Sequence, residues 1–155
     1  MAARLESESK GVRLAALLLI AALAAGPLST HIYWMLGGTW GLYINGVRED
    51  VASTGTRVVA AVVVVLLVAA VLVVLARVGL WKQRWAPDLV VRLFAWGLAA
   101  FFLLETLAAF TWSRDEWGWQ MYGPVSLLIA VLALIVAGSD GSRPHLHRRH
   151  PVASH

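Results

Sequence analysis

Along this chain, long runs with scarcely a polar side chain alternate with short stretches that hold nearly every charge. The apolar runs are Leu14–Leu36, Val58–Ala76, Leu93–Ser113 and Trp117–Ser139. Each approaches or exceeds the ~20 residues that cross a hydrocarbon core about 30 Å thick. The second run holds ten valines in nineteen residues, a composition that would suit a strand in a soluble protein. In lipid a lone strand leaves its backbone groups unpaired, so the pattern predicts a helix. The expected fold class is all-α: an integral-membrane, antiparallel four-helix bundle with both termini on the cytoplasmic side.

This reading divides the chain into a polar, frayed tail at 1–13, a four-span membrane domain at 14–139 and a basic tail at 140–155. Gly26-Pro27 lies inside span one and predicts a kink, because proline lacks a donor and clashes with the preceding turn. Gly37 to Thr56 forms the longest connector, with an Asn45-Gly46 turn signal. Gly37 and Gly41 match G-x-x-x-G but lie beyond the span, so flexible turns around Trp40 explain them better than helix pairing. The second connector, Arg77–Arg92, sets Trp81 and Trp85 among basic residues and reads as an interfacial segment broken by Pro87. Arg114-Asp115-Glu116 is so short that spans three and four must form a hairpin.

Charge fixes the expected orientation. Of the thirteen lysines and arginines, ten fall in the two tails and the second connector, and three (Arg48, Arg57, Arg114) on the other side. Positive loops stay cytoplasmic, so both termini are expected inside. The net charge of +4 then reads as a topology signal with attraction to anionic headgroups, and no nucleic-acid partner is needed. Arg13, the run Leu14–Ala21 and Ala22-Leu23-Ala24 resemble a signal peptide, but the apolar run continues to Leu36 and favours a span. A mean hydropathy of +0.71 supports the membrane class. Two lysines against eleven arginines, among many alanines and valines, hint at a GC-rich bacterial genome and hence a plasma-membrane location.

Candidate chemistry is sparse. There is no cysteine, which excludes disulfide exchange, thiolate catalysis and Cys-ligated metals. Only His31 qualifies as an intramembrane histidine, too few for bis-His haem. Neither H-E-x-x-H, G-x-S-x-G nor a P-loop occurs. The histidines at 145, 147, 150 and 155 lie in a tail interrupted by prolines and arginines, which reads as a disordered basic segment ahead of a metal site. No catalytic residue, metal or cofactor is assigned.

Glu105 is the one carboxylate inside the apolar runs. Ionisable groups in spans are costly and usually face a bundle interior or a cavity. Counted from Leu93 it lies about 18 Å along span three, and His31 differs from it by about 8 Å in depth. The candidate polar site is therefore Glu105, His31, Ser29, Thr30 and Tyr122, with Ser29 or Thr30 or a water bridging acid and imidazole. Trp34, Trp40, Phe101 and Trp112 are the candidate aromatic lining, and a cation could sit over the indoles. The competing reading makes Glu105 a packing residue that hydrogen-bonds across helices to Thr, Tyr or Trp donors, and it is the favoured one.

The stretch His31-Ile-Tyr-Trp-Met-Leu-Gly-Gly-Thr-Trp-Gly-Leu42 resembles a family of small bacterial four-span proteins catalogued as a domain of unknown function, with His-x-Tyr-Trp-x-x-Gly-Gly ending span one. Tyr122-Gly-Pro124-Val-Ser-Leu-Leu is similar to that family's Tyr-x-Pro-Leu start to span four. The resemblance covers roughly residues 14–137 and implies that His31, Tyr33, Trp34, Gly37, Gly38, Tyr122 and Pro124 belong to one outer-face feature. The chain departs from the family where an arginine is expected in span three, which here carries Glu105, and in its shorter third connector.

Three functions are in contention. A non-enzymatic membrane subunit or accessory protein, touching lipid and a membrane-protein partner or a second copy, fits the missing catalytic set. A small-molecule or proton/cation-coupled transporter would use Glu105. A membrane enzyme would use Glu105 and His31 as an acid–base pair on an amphipathic substrate.

Overall fold

A computed structural model describes residues 2–40, 53–81, 87–112 and 118–139, with the side chains of residues 2–5, 112, 118 and 119 outside that description. Every regular element among the described residues is helical: α1 (Ala2–Leu23), a π-helical turn (Ala24–Leu28), α2 (Ser29–Met35), α3 (Thr54–Arg77), α4 (Asp88–Trp112), a second π-helical turn (Gly118–Tyr122) and α5 (Gly123–Gly138). Four helical stretches are long and apolar enough to cross a membrane: Glu6–Met35, Thr54–Arg77, Asp88–Thr111 and Gln120–Gly138. They indicate a membrane-embedded, multi-pass helix bundle.

The helices begin and end where local chemistry provides for their free backbone groups. Ser53 caps α3, its Oγ accepting from the Thr56 amide at 3.1 Å. At the far end Gly79 takes φ +74°, and the Gly79 and Leu80 amides bond to the Ala76 and Leu75 carbonyls. That is a Schellman closure, and α2 ends the same way. Gly37 has φ +99°, its amide bonds to the Trp34 carbonyl, and the Gly38 amide bonds to Tyr33. The turn expected to be flexible is thus a specified helix stop.

Helix boundaries extend past the apolar runs. α1 starts at Ala2, so the segment read as a frayed tail is helical, with a Lys10–Glu6 ion pair at 2.9 Å one turn apart. α4 starts at Asp88, which brings Arg92 into the helix. Pro124 follows the second π-helical turn at the start of α5, inside a helical stretch that runs unbroken from Gln120 to Gly138.

The core is built from Leu19 and Leu23 of α1, Leu67 and Val74 of α3, Phe102 of α4, and Ile129, Ala133 and Val136 of α5. The most extensive contact joins α4 to α5; α1 packs on α5, α2 on α3, and α3 on α4. The helices therefore form a ring in which span one and α4 face each other across the bundle. Arg77, at the end of α3, donates from Nη2 to the Ala137 and Ser139 carbonyls at the end of α5. Those carbonyls carry the negative end of the helix dipole, so the guanidinium ties two helix ends together.

Candidate functional site

Glu105 and Tyr122 meet. The Tyr122 phenol donates to Glu105 Oε2 at 2.6 Å, joining α4 to the turn that opens α5. Two neighbours let the hairpin close. A Cβ on Gly123 would stand 2.9 Å from the Phe110 ring, so glycine is needed for α5 to approach α4. Thr106, buried beside Glu105, directs its hydroxyl to its own helix at the Phe102 carbonyl, 2.7 Å away. Glu105 is half-buried and Tyr122 is 48% exposed, so the pair lies on the flank of the hairpin. Among the described residues Tyr122 is the sole hydrogen-bond partner of the carboxylate.

His31, Ser29 and Thr30 answer to a different need. Pro27 sits inside the π-helical turn, where the Ser29 amide reaches back to the Ala24 carbonyl. Three successive side chains then bond to the carbonyls of that turn. Ser29 Oγ donates to Ala25 at 2.7 Å, Thr30 Oγ1 to Gly26 at 3.0 Å, and His31 Nδ1 to Pro27 at 2.7 Å. A carbonyl only accepts, so Nδ1 carries the proton and, in the neutral ring, Nε2 carries the lone pair. The expected shared site of Glu105 with His31, Ser29 or Thr30 is therefore replaced by two separate ones. The reason is twofold: span one lies across the bundle from α4, and the widened turn claims all three polar side chains.

The aromatic candidates divide in the same way. Trp34 stands edge-on to His31, with centroids 4.9 Å apart, and donates from Nε1 to the Trp40 carbonyl at 2.8 Å. Phe101 is exposed and edge-on to Phe102 at 5.3 Å. The side chain of Trp112 lies outside the described residues, as do the histidine tail, Arg48, Trp85 and the third connector. No cluster of three or more His, Cys, Asp or Glu residues occurs among the described residues.

Two arginines escaped the sequence reading as site residues. Arg77 clamps α5, and Arg57 lays its guanidinium against Gly37, close enough that a Cβ there would lie 2.6 Å from Nη2. The ring of Tyr33 lies against the next residue, Gly38, and leaves no room for a Cβ. The Gly-Gly pair thus admits a cation on one residue and an aromatic ring on the other.

No protein-family model, curated protein or solved structure matches the chain.

Proposed function

We propose that the chain is a non-enzymatic membrane subunit or accessory protein that binds a membrane partner, or a second copy of itself, through the flank of the α4–α5 hairpin. The observation that carries this reading is the Glu105–Tyr122 pair. A carboxyl facing lipid costs about 2.5–3.5 kcal/mol on insertion scales, and a single phenol leaves Oε1 without a donor among the described residues. A protein surface that supplies that donor lowers the cost. Phe101 and Leu104, both exposed on the same helix, extend the contact into apolar surface.

The helices are proposed to run antiparallel, with both termini cytoplasmic, in a bacterial plasma membrane. Arg57 against the end of α2 and Arg77 against the end of α5 support the alternation, and the ten-to-three division of basic residues supports the orientation. The uncharacterised four-span family stays a proposed relative on its motif residues.

A proton- or cation-coupled role for Glu105 is the second reading, favoured by a half-buried intramembrane carboxylate bonded to a phenol. An acid–base pair with His31 loses support, since the two side chains bond to different partners. Purification of the intact chain in mild detergent after crosslinking separates the readings. A stable complex that Glu105→Leu dissolves while the helical circular-dichroism signal persists is the expected result. A strictly monomeric, partnerless protein would sink the subunit reading, and loss of pH-dependent ligand binding in Glu105→Gln would favour transport.

A further inference from the structure

Along α2 and just past its end lies an open cleft of about 440 Å³ lined by Ser29, Thr30, Tyr33 and Trp40. Its chemistry is one-sided. The Ser29 proton is shared between the Ala25 and Gly26 carbonyls, and the Thr30 proton goes to Gly26. A hydroxyl has one proton and two lone pairs, so both side chains offer the cleft acceptors only. Tyr33 and Trp40 are 47% and 62% exposed, and their ring faces attract a cation. Among the described residues no acidic side chain lines the cleft. Beside it stands the Arg57 guanidinium, held on Gly37 next to the residue that carries the Tyr33 ring.

A lone anion would meet lone pairs and ring faces in this cleft, and a lone cation would meet the repulsion of Arg57. A ligand that joins the two charges by a short linker suits both. The geometry points to a binding site for an amine-bearing phospholipid headgroup of the phosphoethanolamine type. Its ammonium donates to Ser29 and Thr30 Oγ between the Tyr33 and Trp40 rings, and its phosphate rests on Arg57. The exposed valines that follow Arg57 along α3 (Val58, Val62 and Val65) give its acyl chains an apolar track. The site is independent of the Glu105 contact.

Native mass spectrometry of the detergent-purified full chain tests this, with equal additions of dioleoyl phosphatidylethanolamine, phosphatidylcholine and phosphatidylglycerol. Retention of the ethanolamine lipid is expected to exceed that of the glycerol lipid by about two- to fivefold, the size of one cation–π contact at an exposed site, and that of the choline lipid by a similar factor, the size of one hydrogen bond to the hydroxyls. Choline keeps the charge but cannot donate to the hydroxyls, and glycerol lacks the charge. Trp40→Ala should cut the preference over the glycerol lipid and Arg57→Gln should lower retention of all three lipids, whereas Trp40→Phe and Arg57→Lys should keep most of each. Equal retention of the three lipids, a preference over the glycerol lipid unchanged in Trp40→Ala, or overall retention unchanged in Arg57→Gln would overturn the site. Free phosphoethanolamine should compete weakly because it has no acyl chains. Competition equal to the lipid's would keep the headgroup chemistry and overturn the lipid as its source.

Discussion

Removing one oxygen from Tyr122 strands the carboxylate of Glu105. In Tyr122→Phe the hydrogen bond at 2.6 Å disappears while the ring and its packing stay, and Oε2 loses its donor. Hydrogen bonds to charged groups contribute about 1.5–3 kcal/mol in soluble proteins. Interhelical polar pairs in membrane proteins average about 0.6 kcal/mol and reach about 1.7. With Tyr122 48% exposed, the lower scale governs, and the expected cost of Tyr122→Phe is about 1 kcal/mol. Glu105→Leu removes the desolvated carboxyl altogether and is expected to leave the isolated bundle unchanged or slightly more stable. In that background Tyr122→Phe should cost close to nothing. Reversible unfolding in mixed micelles, followed through the eight tryptophans, measures all four corners of the cycle. Equal cost of Tyr122→Phe in both backgrounds, to within about 0.3–0.5 kcal/mol, would mean that the pair is not coupled and would refute the reasoning.

Other predictions concern the helix ends. Gly37→Ala places a Cβ at φ +99° against Arg57 and should destabilise the bundle by about 1–2 kcal/mol in the same unfolding assay. A neutral effect there would remove the Schellman account. Arg77→Gln loses charge-assisted bonds to two carbonyls of α5 and should cost about 1–2 kcal/mol, with hydrogen exchange near Ala137–Ser139 rising more than in α1. Uniform exchange would leave Arg77 as a topology charge alone. Because the chain has no cysteine, His145→Cys gives a clean label, which should react from the cytoplasmic side only. Reaction from the outside only would reverse the orientation.

The spans were legible because lipid demands a continuous apolar helix, and no other signal competes with a run such as Val58–Ala76. Their neighbours were not. A helix apolar on every side carries no polar face to show what it packs against, so depth along each span was the sole guide to pairing. By depth His31 and Glu105 looked compatible; the ring order of the helices separates them and gives the carboxylate Tyr122 instead. The role of Ser29, Thr30 and His31 had a readable cause. Hydroxyls and imidazole just after a proline bond back to the carbonyls four residues earlier, a habit of polar side chains in helices. Gly37-Gly38 after an aromatic pair also reads as a Schellman stop, once the second glycine is seen to carry the Tyr33 ring. Arg57 and Arg77 were counted for sidedness, and no count shows which carbonyl or ring a long cation reaches.

Photo-crosslinking in the native membrane tests the central claim most directly, that the Glu105 flank of the α4–α5 hairpin contacts protein. A photoreactive residue is placed at Phe101 or Leu104, beside Glu105, and at Val65 on α3 as an equally apolar control, all three exposed in the single chain. The account predicts a discrete protein adduct from positions 101 and 104, absent at 65 and lost when Glu105→Leu is added. Adducts to lipid alone at all three positions, or equal protein adducts at 65, would contradict it.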